Sequence, residues 1–442
     1  MTPHWRHILL NEQATICSMN RQEEGTVAYE RRVVDAELRQ RLSATGAVVI
    51  EGPKACGKTQ TALQVAGSSV LLDTNVSARR ALAVQPSLVL DGKAPRLLDE
   101  WQVEPQLWNL VRREVDSRQL AGQFILTGSA VPADDAQRHT GAGRFSFLRM
   151  RPMTLFETGH STGAMSLTEL MAGNVSSSGD TGLTIAEIAK RITIGGWPAQ
   201  QSKSVRDAAR AARDYLEQVQ QVDVGRVAGG KRDPIKVGRL LSSLARNTAT
   251  EAATTVLATD AGGSVGPLAR NTVSDYLDVL ERLMVVENQP AWSPHLRSRS
   301  ILRLKPKRHF VDPSLAVAAL AAGPDRLLAD LELMGFLFES LVIRDLRVFA
   351  QPLDGQVFHY RNNNGVEVDA IVQLTDGRWG AFEVKLGQGM IDAAADNLLR
   401  FEKLVDVHKS GPPTVLAVIC GTGFAYRRKD GVVVIPIGAL GP

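Results

Sequence analysis

The amino-acid sequence predicts an α/β chain of several domains: a three-layer core built on a strand–glycine loop–helix unit, a helical middle, and a second α/β unit at the end. Three observations predict it. An apolar run, Ala47 to Ile50, leads into Gly52-Pro-Lys-Ala-Cys-Gly-Lys-Thr59 and then into helix-compatible residues ending at Gly67. Short apolar strands return after that loop, as at Val70 to Asp73 and Phe124 to Ser129, with helical patterns between them. From Leu331 onward the pattern reads helix, three strands, helix, strand. At 442 residues the chain has material for about two to four domains, each able to bury its own core.

The glycine loop meets the G-x-x-x-x-G-K-[ST] template at every fixed position, a match that composition alone would give in about one or two of a hundred chains this long. Its residue types have a chemical reason. Glycines let successive backbone N–H groups close around a polyphosphate, Lys58 reaches the β- and γ-phosphates, and the Thr59 hydroxyl can ligate Mg²⁺. The residues expected to hold ATP are therefore Gly52, Pro53, Lys54, Ala55, Cys56, Gly57, Lys58, Thr59 and Gln60. Cys56 stands at a variable position, either as a small filler or as an oxidisable thiol.

Upstream of the loop, residues 1–28 carry no periodic signal and read as a tail, whereas Val33, Val34, Leu38 and Leu42 fall at helical spacing. The apolar patch Ile8 to Leu10 is too short for a secretory signal, and no run approaches the roughly 20 residues that span a bilayer. A cytoplasmic protein without a membrane partner is expected. Cys17, Cys56 and Cys420 are odd in number and widely spaced, which argues against both a disulfide framework and a zinc site. A hydrophobic share of 44% and a charged share of 22% are those of an ordinary soluble protein, and a net charge of +4 permits nucleic-acid binding without requiring it.

Downstream, Pro95 to Trp101 is a short strand ending in Asp99-Glu100. Asp99 would hold Mg²⁺ through its water shell, and Glu100 would orient or deprotonate the attacking water. The strand Phe124 to Ser129 ends in hydroxyls, so Thr127 or Ser129 would sit beside the γ-phosphate; a polar turn is the alternative. Arg144, Arg149 and Arg151 follow. Arg144, after Gly141 and Gly143, is the expected arginine finger, acting in its own subunit or across the interface of a homo-oligomer; simple surface solvation is the alternative.

The succession IEGPKACGKT, LLDEWQ, FILTGSA, GRFSFLRMRPMTLFE and IGGWPAQ resembles the bacterial AAA-type ATPases that carry a C-terminal domain of unknown function numbered 4143, from about Tyr29 to the end of the chain. The resemblance implies an ATPase core over 29–165, a helical lid over 166–235, a winged helix over 236–310 and a nuclease-like domain over 311–442. Tyr215 and the stretch Asp223 to Arg226 are similar to the family's helix with a Tyr and a downstream Asp-x-x-Arg.

Gly159 to Gly182 has the Ser, Thr and Gly content of an inserted loop, and Val205 to Val227 reads as a long amphipathic helix of the lid. In the winged helix, Arg270, Asn271, Thr272 and Ser274 open the second helix, where they could enter a major groove or merely front a packing element. The basic tract beyond it places Arg297, Arg299, Arg303, Lys305 and Lys307 at one parity. On a strand they would share a face, either a stripe along a DNA backbone or a solvated sheet edge.

In the last domain Leu331 to Ala350 is an apolar helix broken by Glu339, followed by strands at Val357 to Arg361, Val366 to Gln373 and Trp379 to Lys385. An Asp followed by Glu-x-Lys arises about once per chain of this length by composition. The weight lies in where Asp369, Glu383 and Lys385 stand, interrupting apolar strands in which a buried charge is costly. The arrangement resembles the PD-(D/E)xK nuclease fold, which implies Glu339, Asp369 and Glu383 as ligands of one or two Mg²⁺, Lys385 as a charge stabiliser, and Glu367 as an assistant. Two function classes are open: an ATPase acting on DNA with a Mg²⁺-dependent nuclease-like end, and a nucleotide-switched binder of nucleic acid or protein that does not cut.

Overall fold

Apolar runs with no polar alternation, such as Ala47 to Ile50, are what a parallel strand covered on both faces requires. The structure, a computed structural model, describes residues 29–129, 140–228, 233–294, 305–362 and 364–442. Helix α1 (Val34–Ala44) leads into β1 (Ala47–Glu51), and the glycine loop then opens α2 (Lys58–Leu63). Next come β2 (Ser68–Leu71), β3 (Arg96–Asp99), α3 (Leu107–Arg118), β4 (Phe124–Gly128) and β5 (Phe145–Arg149). The strands are parallel in the order β2-β3-β4-β1-β5. Val48, Ile50, Leu97, Ile125 and Leu148 pack on one side, and Ala47, Val49, Leu98, Phe124 and Leu126 on the other, so strand alternation yields two cores and three layers.

The middle of the chain holds α4 (Ile185–Ile194) and α5 (Val205–Gln218), which continues through a π-helical turn at Val219–Asp223. Three helices follow, α6 (Pro234–Arg246), α7 (Thr254–Gly262) and α8 (Arg270–Arg282), then the antiparallel pair β6 (Val286–Gln289) and β7 (Lys307–Phe310). Thr250, between α6 and α7, bridges to Arg308 of β7. Helix α8 begins at Arg270, with Arg270, Asn271 and Ser274 exposed and Thr272 half-buried.

After α9 (Pro313–Ala319) and the twenty-residue α10 (Leu331–Ala350) comes the second sheet. It contains β8 (Gly355–Arg361), β9 (Glu367–Leu374), β10 (Trp379–Lys385), β11 (Val415–Cys420), β12 (Tyr426–Arg427) and β13 (Val433–Pro436), with α11 (Ile391–Glu402) between β10 and β11. The order is β12-β13-β11-β10-β9-β8, antiparallel through β8, β9 and β10 and parallel from β10 through β11 to β13. The Ser- and Gly-rich stretch after Gly159 is not a free insertion. Met165 and Ser166 pair in parallel with Leu440 and Gly441, Ser178 bridges to Ala425, and Thr162 N–H donates to Gly438 O at 2.8 Å. Residues 162–178, from 166 on expected in the lid, are therefore fastened to the C-terminal segment at Ala425 and at residues 438–441.

Two of the strings that carried the family resemblance, IGGWPAQ and GRFSFLRMRPMTLFE, lie where these parts meet. Gly195 and Gly196 lie where side chains have no room: a Cβ on Gly196 would run into the Met153 backbone, and one on Gly195 into Asp312 and Ser314. Asp312 accepts from Gly196 N–H at 2.9 Å and from the first turn of α9 at Ser314 N–H, 3.0 Å. Asp345 of α10 accepts from Leu155 N–H at 3.0 Å. Arg344 joins them, 2.8 Å from Asp312 and 2.7 Å from Asp345, all three buried. Burial pushes the Asp345 carboxyl up to about 6 against the opposing pull of Arg344.

Replacing Arg344 by Met should strand two buried carboxylates, so urea unfolding followed by tryptophan fluorescence should show a loss of about 3–5 kcal/mol. An unchanged midpoint and slope would show that this joint contributes nothing to stability.

Candidate nucleotide site and carboxylate–lysine cluster

Both chemical centres stand at strand ends or strand centres, where the register fixes which side chains meet. In the first sheet Leu71, Asp99, Thr127 and Ile50 lie in one row across β2, β3, β4 and β1. Inserting β4 between β1 and β3 thus brings a hydroxyl between the glycine loop and the acidic pair. Asp99 Oδ1 accepts from Thr59 Oγ1 at 2.8 Å and also from Thr127 Oγ1. Glu100 has a left-handed backbone, φ 53°, rare for a residue with a side chain, and its carboxylate accepts from Ser129 Oγ at 3.1 Å and from the Gln102 amide. Gly128 makes room for this, since a Cβ there would press on Gln102 and Trp101.

Within the loop, Gly52 has no space for a side chain against Met150 O, and Gly57 has φ 104° at the start of α2. Lys58 Nζ folds back on the carbonyls of Gly52 and Pro53 at 3.0 and 2.8 Å. The donor set fits Mg·ATP: a charged amine on the loop, a helix N-terminus behind it, and a hydroxyl already joined to an acidic strand end. Cys56 is fully buried against Met150, which favours the small-filler reading over an exposed thiol. Lys54 reaches the π-helical turn after α5 instead of the loop centre, pairing with Asp223 at 2.5 Å. Gln60 is exposed. Arg32, which sequence reasoning missed, braces the loop from behind: its Nη1 donates to Cys56 O at 2.9 Å, its Nη2 to Arg151 O at 2.7 Å, and its Nε pairs with Glu157 at 3.0 Å.

Arg144 is misplaced for its expected role within one subunit. It precedes β5, whose first residue, Phe145, pairs with Ala47, whereas the loop leaves the other end of β1. Five residues of strand, about 16 Å, separate the two ends. Its guanidinium pairs instead with Asp116 of α3 at 2.8 Å. Arg151 is engaged with Glu287 at 2.6 Å.

In the second sheet Asp369, Glu383 and Lys385 do converge with Glu339 of α10, but they meet as ion pairs. Lys385 Nζ lies 3.0 Å from Asp369 Oδ2 and 2.6 Å from Glu383 Oε2. Val384 N–H donates to Asp369 Oδ2 at 2.9 Å, and the Asn397 amide to Glu383 Oε1 at 2.9 Å. The unforeseen member is Lys307, whose Nζ stands 2.8 Å from Glu339 Oε1 and 3.5 Å from Asp369 Oδ1. It is only 7% exposed. That corrects the reading of Lys307 as part of a solvent-facing stripe; Arg297, Arg299 and Arg303 lie outside the described residues, as do the tail and Cys17. Glu367 faces outward to Arg361 at 3.0 Å.

Burial and the charge of Asp369 push Glu339 up to about 7 and Glu383 up to about 8. Burial works the same way on Asp369, but Lys307 and Lys385 overcome it and hold that carboxyl down at about 2. As arranged, the cluster does not fit a divalent metal: two ammonium groups fill the space, and among the described residues no group of three or more His, Cys, Asp or Glu has metal-holding geometry. Glu339, Asp369 and Glu383, expected as Mg²⁺ ligands, are here paired with Lys307 and Lys385.

Three family models match along the chain. An AAA domain model matches residues 44–159, a domain of unknown function (DUF8612) residues 185–326, and a domain of unknown function (DUF4143) residues 334–440. Uncharacterized proteins of Mycobacterium tuberculosis and Mycobacterium bovis are each 25% identical over 364 residues, 80% of this chain and 74% of theirs. A Walker-type ATPase of Pyrococcus abyssi is 13% identical and aligns over 64% of this chain and 94% of its own, with a TM-score of 0.39. The chain thus carries an AAA-type P-loop ATPase domain and a C-terminal domain of unknown function 4143, and it is an ATPase. Among the described residues no helix is long and apolar enough to cross a membrane.

Since Arg144 faces away from the loop in its own subunit, Arg144→Ala should leave the monomer's ATP turnover within about twofold of wild type, whereas Asp99→Asn should lower it by about a hundredfold or more. A steady-state phosphate-release assay separates these outcomes.

Proposed function

We propose, from the premise that this chain joins an AAA-type ATPase domain to a domain of unknown function 4143, that it is a nucleotide-switched protein that grips nucleic acid. In this reading Lys58 and the loop from Gly52 to Gln60 hold the phosphates, Thr59 and Asp99 hold Mg²⁺, Glu100 orients the attacking water, and Thr127 and Ser129 register the γ-phosphate. ATP supplies the phosphoryl group and Mg²⁺ the charge neutralisation. The contact from Ser129 to Glu100 supports the last assignment, because it ties a strand-end hydroxyl to the water-orienting carboxylate.

The observation that carries the non-cutting form of the reading is the lysine-filled carboxylate cluster of the second sheet. Nucleic acid is favoured as the partner by the net charge of +4 and by the exposed Arg270, Asn271 and Ser274 at the front of α8. A second reading, a Mg²⁺-dependent nuclease, is favoured by one arrangement: Asp369, Glu383 and Lys385 stand together on two adjacent central strands with Glu339 beside them.

Glu100→Gln should retain ATP while hydrolysis falls by about a hundredfold or more, and Lys58→Ala should lose ATP binding. Equal turnover in Glu100→Gln and wild type would remove Glu100 from its role. Gel retardation of duplex DNA should weaken in Arg270→Glu, with the log–log salt slope falling by about 1. Incubating plasmid with wild type and Asp369→Ala in Mg²⁺ and ATP decides between the readings, since cleavage by wild type alone would establish the second.

A further inference from the structure

We propose that the ammonium of Lys307 is a tethered cation standing where a divalent metal ion would sit, so that the carboxylate site of the second sheet is closed by the chain itself and takes up metal only when that side chain is absent. The inference rests on and deepens the non-cutting reading of the second sheet and is independent of the ATPase.

Position is the first argument. Lys307 Nζ lies between Glu339 Oε1 and Asp369 Oδ1, carboxylates that arrive from different elements, α10 and β9. The other oxygen of Asp369 is occupied by Lys385 Nζ and Val384 N–H, and Glu383 is held by Lys385 and Asn397. Glu339 and the Oδ1 side of Asp369 are thus served by Lys307. Charge is the second argument. With all three carboxylates ionised, as a bound divalent cation would hold them, the two ammonium groups leave one net negative charge, and without Lys307 there would be two, the charge such a cation neutralises.

Delivery is the third. A surface lysine that folded inward by chance would sit on an unconstrained segment, but Lys307 opens a strand fastened to the second sheet. It pairs with Gln289 in the β6–β7 ladder, and the Gln289 amide donates to the carbonyls of Phe358 and Asp369 at 2.9 Å each. His309, two residues on and on the same face, is fixed at both ring nitrogens, 2.9 Å from Ser340 Oγ and 2.9 Å from Gln289 Oε1. The hairpin therefore aims the amine at the carboxylates.

The test uses the full chain without nucleotide, with Lys307→Met as the main variant and Lys307→Gln as a second in case the first does not fold. Free Mn²⁺ is followed by electron paramagnetic resonance and stability by thermal melting. The expected result is Mn²⁺ uptake by Lys307→Met at least about tenfold tighter than by wild type, absent again in Lys307→Met with Asp369→Ala, and a lowered Tm restored by Mn²⁺. Wild type binding Mn²⁺ as tightly as the variant at an Asp369-dependent site would overturn the proposal. So would a folded Lys307→Met or Lys307→Gln protein that neither binds Mn²⁺ nor is stabilised by it, the behaviour of a purely structural ion pair. ATP turnover measured on the same samples keeps a failure here apart from a failure of the ATPase assignment.

Discussion

The buried guanidinium of Arg344 joins three segments that lie far apart in the sequence. Its two carboxylate partners each hold something else: Asp312 the backbone of Gly196 and the first turn of α9, Asp345 the backbone of Leu155 just beyond the first sheet. Three charges out of water are expensive, and they persist here because the remaining lone pairs are committed to backbone N–H groups. An apolar substitute could fill the volume, but it could not specify the mutual placement of three segments so far apart in sequence.

Much of the first site was legible in the sequence because its determinants are local. A phosphate loop is eight consecutive residues between a strand and a helix, and Asp99-Glu100 ends the next apolar strand but one. The bounds of α10 and β10 were also readable, since apolar periodicity sets them. Strand order was not. It is the β5-β1 pairing, a property of the assembled sheet, that turns Arg144 away from the loop. Parity put Lys305 and Lys307 on one face, but the strand begins only at Lys307, which is buried while Lys305 is exposed, and what Lys307 meets depends on partners about thirty to sixty residues further along the chain. Arg32 and Asn397 had no signal at all, because neither stands in a motif and each acts on a distant backbone or side chain.

A contiguous set of contacts runs from the nucleotide site to the carboxylate cluster. Arg32 touches the phosphate loop at Cys56 O and the chain after β5 at Arg151 O. Arg151 pairs with Glu287 of β6, Glu287 faces His309 across the ladder, and Lys307 of the same strand ends among the carboxylates. Burial works against ionised Glu287, but Arg151 and Arg347 hold its carboxyl well below the usual range, so this link remains charged.

In an antiparallel ladder, residues directly opposite share a face, so Glu287, Gln289, Lys307 and His309 point one way and Asn288 and Arg308 the other. Arg308 spends its guanidinium on Ala252 O, on the side away from the carboxylates. Shifting β7 by a single residue would withdraw the ammonium and the imidazole together and present a guanidinium in their place. Which cation faces the carboxylates is therefore a matter of odd or even count along one short strand: a digital property of backbone pairing rather than a graded property of any one contact.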